Sequence, residues 1–487
     1  MEDVFSQGSI IFFQKGGFMG QSMYQELQPL FAPQSIAIIG ASGTPGKWGH
    51  QMVARPLRSS FRGPIYPINP KSKEIEGLKV YRSIKDVPGP VDMAIITVLA
   101  PMVPAMVKEC AEKGVKAMVV ISAGFAETGP EGKALQDEVL RIAKSAGIRF
   151  MGPNGMGIYS SAVRLNTAFD FSPEPGGISF ISQSGTMGAY LLETANDKGY
   201  GFNTFLSVGN QADLSMADYI EYLGEDDRTK VIVLYIEGLK DAERFLKNAR
   251  EVIRKKPIIV YKSGSGEDGA RATMSHTASI AGSDQMFDAA CKQAGIIRTY
   301  DVSHAFDIAE ALSKQPLPKG NNVGIVASGG GMCVVSTDAC NGYGLRVPEL
   351  DMDTQKKIAK LLIAHAAPPR NPVDLAADPN SMTLANVVDL LARNPNIHAI
   401  ITDAPLWGVS PETIRDKINA AEIISMVPEK YGKPLIALAM KTKMEGIVFD
   451  VMRNRNIPFY EFPKEAARAV YGLYMYARLQ ERFASLR

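Results

Sequence analysis

Five histidines occur in the 487-residue chain, at positions 50, 276, 304, 365 and 398, and one of them stands in a setting that invites chemistry. His276 lies within "ARATMSHTASIAGSD" (270–284), among Ser, Thr, Ala and Gly. It has neither the bulky apolar neighbours of a core histidine nor a second ligand spaced for a metal. A Ser–His–Asp hydrolase would carry its serine in a G-x-S-x-G elbow, and "SQSG" lacks the leading glycine. Two readings remain: a surface histidine, or a nucleophile on a small-residue loop whose imidazole accepts a phosphoryl group. Glu237 ends the apolar run of "VLYIEGLKD". It is either a capping or surface carboxylate, or the group that accepts a hydrogen bond from one ring nitrogen and raises the basicity of the other.

Small-residue turns supply candidate anion cradles. "ISQSGTMG" (Ile181–Gly188) places Ser182, Gln183, Ser184 and Gly185 at a strand-to-helix junction. Open backbone N–H groups and the positive end of a helix suit a phosphoryl group there, although such a turn also serves plain packing. "IIGASGTPGKWG" (Ile38–Gly49) has the glycine spacing of a nucleotide fingerprint. A nicotinamide site would carry Asp or Glu near the end of the next strand, but "PINPKSKEIEG" offers Asn69, Pro70, Lys71 and Lys73. Those lysines suit a phosphorylated ribose, as in coenzyme A or NADP, or simply lie on a solvated loop. The turn "SGGGM" (Ser328–Met332) has glycines but one fewer hydroxyl, and reads as structural.

The elements that must position these residues alternate along the chain. Short β-branched runs ("SIAIIGAS", "MAIITV", "AMVVISAG") are separated by helical stretches such as "MVPAMVKECAEKG", the pattern of an α/β protein with parallel sheets covered on both faces. The length has room for about three domains. A cycle over 25–150 is followed by a second from 151 to 316 and a third over 317–487, after the linker-like "SKQPLPKGNN". "ISFISQSGTMGAYLLETANDKGYGF" and "VGIVASGGGMCVVSTDACNGYGLRV" share one plan of strand, small turn, helix and Gly-Tyr-Gly. Residues 1–24 read as an extension whose apolar run around Ile10–Phe13 is too short for a signal peptide or a membrane span.

Composition narrows the classes. Net charge is +2, with 46% apolar and 21% charged residues, so a general nucleic-acid binder is excluded and any anion site is local. Four cysteines without metal-type spacing read as free thiols of a cytoplasmic protein, with no metal site and no membrane association.

Taken together, "GASGTPGKWG", "PINPKSKEIEGLKVYRSIKDVP", "VDMAIITVLAP", "ISAGFAETG", "GPNGMGI", "ISQSGTMG", "SVGNQADL", "YIEGL" and "SHTASIAGSD" occur in an order that resembles the alpha subunits of ADP-forming acyl-CoA synthetases, relatives of succinyl-CoA synthetase. The resemblance runs from about Phe31 to near the C-terminus. It implies a Rossmann-like CoA-binding domain followed by two flavodoxin-like doubly wound domains. The implied reaction is acyl-CoA + ADP + phosphate ⇌ carboxylic acid + ATP + CoA. By the same resemblance His276 is transiently phosphorylated on a swinging loop, Glu237 steadies it, and Ser182–Gly185 cradle the phosphate. Gly40, Ser42, Pro45, Gly46, Lys47, Asn69 and Lys71 match the CoA pocket, whose remainder is Val98–Pro101 (with Ala100), Ser122–Phe125 (with Ala123 and Gly124) and Asn154. "SVGNQADL" is expected near the acyl group. No P-loop is present, so ADP or ATP with Mg2+ is expected on a separate ATP-grasp beta subunit in an alpha–beta hetero-oligomer. The competing readings are a non-catalytic acyl-CoA-binding scaffold and, behind it, a NAD(P)-dependent oxidoreductase.

Overall fold

The computed structural model describes residues 22–266, 268–269, 271, 284–378, 380–405, 413–440 and 446–485. His276 lies outside the described residues. Three five-stranded parallel arrays carry the architecture. The first runs, in spatial order, Ile65–Ile68, Ile36–Ile39, Met93–Ile96, Ala117–Val120 and Arg149–Met151. The second runs Phe202–Ser207, Pro175–Ser182, Val231–Ile236, Ile258–Lys262 and Ile297–Thr299, and an antiparallel pair, Gly157–Ser160 and Leu165–Asn166, extends it. The third runs Val373–Asp374, Val323–Ala327, Ala399–Asp403, Leu435–Leu438 and Phe459–Tyr460. Numbered by sequence within each array, all three have the strand order 2-1-3-4-5. The order reverses beside the first strand, and the crevice there is where such sheets hold ligands.

The strands are short apolar runs because helices cover both faces. "IAII", "MAII", "AMVV" and "VIVLYI" are buried at every position. The strand Val231–Ile236 shows how two cores share one sheet. Ile232, Leu234 and Ile236 join a cluster with Ile36, Ile38 and Met93 of the first array. Val231, Val233 and Tyr235 join a cluster with Val323, Ile325 and Ile401 of the third. Alternation along a strand therefore packs the middle sheet between its two neighbours.

Both junctions are closely knit, the first by ion pairs and the second by helix packing. Arg55 and Arg58, on the helix Trp48–Arg58, reach the Asp170 carboxylate at 2.9 Å each. On the other side the helix Val302–Lys314 packs on the C-terminal helix Pro463–Ser485, so closely that a Cβ on Gly472 would lie 2.4 Å from Ile308 Cγ2. Among the described residues no helix is long and apolar enough to cross a membrane.

Candidate active site

The helix Gly185–Asp197 starts where it does because Ser184 is its N-cap, its hydroxyl accepting from the Met187 N–H at 3.3 Å. Small residues are obligatory at this turn. A Cβ on Gly185 would lie 2.9 Å from Met156 Cβ, and one on Gly188 would lie 2.8 Å from Ser182 Cβ. Ser182 itself is fully buried, and its hydroxyl donates to the Ser184 carbonyl at 2.6 Å. It shapes the turn from beneath, and its hydroxyl is committed there.

Gln183 is committed as well. Its backbone N–H donates to the Tyr235 carbonyl at 3.2 Å. Its side-chain Nε2 donates to the Gly238 carbonyl at 2.7 Å, while Oε1 accepts from the Gly238 N–H at 3.0 Å and from the Glu237 N–H. The amide thus clasps the turn that follows Val231–Ile236 and sets where Glu237 stands. Glu237 is 6% exposed and lines the same cavity as Gln183, Ser184, Gly185 and Thr186.

The glycine-rich turn after Ile36–Ile39 is a close-packed corner. Gly40 has φ +90°, and a Cβ there would meet Thr97 Oγ1 at 2.8 Å. A Cβ on Gly49 would lie 2.0 Å from the Gly40 carbonyl, so the helix Trp48–Arg58 touches the strand end backbone to backbone. Asn69 ties this corner down, donating from Nδ2 to the Ala41 carbonyl at 2.7 Å and accepting from the Lys71 N–H at 2.8 Å. Ser42 accepts from the Thr44 N–H at 3.1 Å. Pro45, Gly46 and Lys47 complete the exposed turn, and Lys47 is the N-cap residue of the helix without a side-chain capping bond.

Two further strand ends converge on the corner. Ser122 donates to the Val98 carbonyl at 2.5 Å and accepts, through its own carbonyl, the Asn154 N–H at 2.9 Å. Asn154 adopts φ 63°, a left-handed conformation that Asn tolerates better than most residues. Ala100 is buried behind the 97–100 turn, and Gly124 donates to Glu127 Oε1 at 2.7 Å. Burial pushes the Glu127 carboxyl up, but hydrogen bonds from Asn210 and the Gly124 N–H outweigh it and hold the group below its ordinary value. Asn210 also places the loop after Phe202–Ser207 against the first unit, donating to Glu127 Oε2 at 2.5 Å and Gln136 Oε1 at 3.0 Å.

Between these parts lies a cavity of about 450 Å³. Its first wall is Thr97, Val98, Leu99, Ser122, Ala123 and Asn154, and its second is the Gln183–Thr186 turn with Glu237 and Gly238. The loop Gly209–Gln211 and Met156 close a third side. Gly40, Ser42, Pro45, Gly46, Lys47, Asn69, Lys71, Ala100 and Gly124 do not line it; they build the adjoining corner. Sequence reasoning passed over Trp48, Met156 and Lys240, all on the cavity wall. Lys240 had a signal in "IEGLKD", three residues beyond Glu237 in the same turn. Among the described residues no group of three His, Cys, Asp or Glu side chains gathers to hold a metal ion.

Known proteins resemble the chain along nearly its whole length. A CoA-binding domain model matches residues 34–161, a succinyl-CoA ligase-like flavodoxin domain model 175–312, and a ligase-CoA domain model 323–484. The chain is 39% identical to the acetate–CoA ligase [ADP-forming] II subunit alpha of Pyrococcus furiosus, over 93% of this chain and 98% of that one. It is 34% identical to the 4-hydroxybutyrate–CoA ligase [ADP-forming] of Nitrosopumilus maritimus, over 91% of this chain and 63% of the relative. The solved acetyl-coenzyme A synthetase 1 of Ca. Korarchaeum cryptofilum, in complex with phosphate and ADP, superposes with a TM-score of 0.83 at 34% identity, covering 95% of this chain and 100% of that one. With near-complete coverage of such a subunit and three matching domain models in the same order, the chain belongs to the family of ADP-forming acetate–CoA ligase alpha subunits.

Proposed function

We propose that this chain is the alpha subunit of an ADP-forming acyl-CoA synthetase and carries the half of the reaction that interconverts acyl-CoA and phosphate with free acid, CoA and a phosphohistidine. The observation that carries the reading is the shared cavity. The strand ends of the CoA-binding unit and the donor turn at Ser184–Gly185 face one space, with the Glu237 carboxylate at its edge. A thioester held from the first side meets an anion held from the second. The Gly185–Asp197 helix start offers N–H donors and the positive dipole end to that anion.

In this scheme a phosphate oxygen bonds to the thioester carbonyl carbon, and the C–S pair leaves with the CoA sulfur. The resulting acyl phosphate passes its phosphoryl group to a ring nitrogen of His276, and the P–O pair leaves with the carboxylate. Holding the reactants in register and stabilising the developing charge do most of the work. Glu237 accepts a hydrogen bond from the other ring nitrogen. ADP, with its Mg2+, takes the phosphoryl group on a partner subunit. That assignment is supported by relatives named as alpha subunits, which this chain covers almost completely, and by a longer relative named as the ligase itself, of which it covers 63%. An ATP-grasp beta subunit is the proposed partner. The Gly209–Gln211 loop is the proposed neighbour of the acyl group.

The test is incorporation of labelled phosphate into the chain with Mg2+ and a panel of acyl-CoAs, beside His276→Ala. The expected label depends on acyl-CoA, resists base, is lost in acid and is absent from the variant. Tight CoA binding with no label, in the presence of the partner subunit, would make the chain an acyl-CoA-binding scaffold instead.

A further inference from the structure

The reaction proposed above brings only anions to the cavity: phosphate, a carboxylate, an acyl phosphate and the CoA phosphates. Yet among the described residues lining it there is one cationic side chain, Lys240. Lys240 is exposed as a residue, and its ammonium reaches the carbonyl oxygens of Asn210 at 2.5 Å and Gln211 at 3.3 Å. Both carbonyls belong to the loop that closes the third side of the cavity. No carboxylate among the described residues forms an ion pair with it, whereas Lys198 pairs with Asp307 and Glu465, and Lys314 pairs with Glu310. An ammonium held on neutral carbonyls has no carboxylate in contact with it, only Asp137 acting at longer range, and has a third N–H to offer. Lys256 is the informative contrast. It too sits on carbonyls, those of Leu223 and Asp226, but it closes the end of the helix Met216–Glu225 and is not on the wall of this cavity.

We propose that Lys240 is the cation that holds the reacting anion in this cavity, a phosphate or carboxylate oxygen occupying its third N–H. The proposal rests on the functional reading above. Position supports it, because Lys240 shares its turn with Glu237, and the Gln183 clasp fixes that turn against the phosphate-side helix. Titration supports it too. Desolvation of the ammonium against the loop, with Lys133 adding repulsion and the Asp137 carboxylate partly opposing both, lowers its pKa below the ordinary lysine value. An arriving anion would reverse that shift, so binding the anion and keeping the proton favour one another.

The experiment compares wild type, Lys240→Met and Lys240→Arg in the complete enzyme with its partner subunit. The readouts are KM for phosphate in the acyl-CoA-consuming direction, KM for the acid in the reverse direction, and Kd for CoA. Losing one charge-assisted hydrogen bond should raise the affected KM about 10- to 100-fold in Lys240→Met, with Kd for CoA moving less than about twofold. Lys240→Arg should recover most of the loss and move the alkaline limb of the rate profile to higher pH, since arginine keeps its proton there. A rise confined to phosphate, or confined to the acid, supports the proposal and identifies which anion Lys240 faces. Unchanged KM values for both, with a fall in kcat common to both variants, would overturn it and leave Lys240 as a strap for the loop. Absence of phosphate label in wild type would overturn the functional reading first and the proposal with it; normal label with unchanged KM values overturns Lys240 alone.

Discussion

Gln183 lies in a segment whose residue types advertise phosphate binding, yet its amide faces another way. Three hydrogen bonds spend it on the Glu237–Gly238 backbone. Gln183→Ala should therefore act on Glu237 rather than on CoA. The expected result is a fall of about 10²-fold in the rate of phosphohistidine formation, in line with the loss of a positioned acid–base partner, with unchanged CoA affinity. Gln183→Glu should be no rescue, because a carboxylate cannot donate to the Gly238 carbonyl and sits beside a second one. Rapid-quench labelling and a CoA titration check both. Ser184, Gly185 and Glu237 were legible from sequence because each ends a strand or opens a helix, and local pattern reports that. The clasp was not, because Gln183 and Gly238 meet only after two parallel strands pair, and nothing local encodes that pairing.

At the scale of elements, the junction between the second and third arrays depends on Asp307 of the helix Val302–Lys314. Its carboxylate, 1% exposed as a residue, accepts from Arg468 Nη1, from the Tyr200 hydroxyl at 2.9 Å and from Lys198 Nζ at 3.3 Å. The Asp307 carbonyl accepts from the Tyr460 hydroxyl at 2.6 Å, so four elements meet on one residue. Burial pushes the carboxyl above its ordinary range, and the Lys198 and Arg468 charges pull it back. Asp307→Ala would leave the buried Arg468 guanidinium without its counter-charge, at a cost of about 3–5 kcal/mol. Urea unfolding should then lose stability by that amount, with the third array separating early. Repetition of the strand–turn–helix plan made the second and third units legible as relatives. The side chains that weld them were not, because a lone Asp in an apolar helix has no sequence signature of its partner.

At the scale of the whole molecule, the first junction is the acid-sensitive one. The hydrogen bond from Arg55 holds the Asp170 carboxyl at about 2, below its ordinary value of 3.8, with burial opposing and Arg58 assisting. A carboxyl depressed on folding stabilises the fold fully above the unfolded value and loses that contribution as pH falls from 3.8 towards about 2. Wild type should therefore melt higher than Asp170→Asn at neutral pH, and the gap should close on acidification through that window. Thermal melts of both proteins across the series measure it. The first two parallel arrays were visible in the alternation of apolar runs, but the addition of an antiparallel hairpin at Gly157–Asn166 was not, since "GIYS" and "LN" lack the unbroken apolar run that marks strands such as "IAII" and "MAII".

All strands of the first array lie between 36 and 151, those of the second between 157 and 299, and those of the third between 323 and 460. Among the described residues no array borrows a strand from another. A gene cut at either seam would sever no ladder of hydrogen bonds, and each fragment would keep a finished sheet whose exposed face can dock again. Such seams are where exons, fusions and rearranged orders of the same pieces can be tolerated, so the architecture leaves the division of this enzyme into polypeptides free to vary while the pocket between units stays the same.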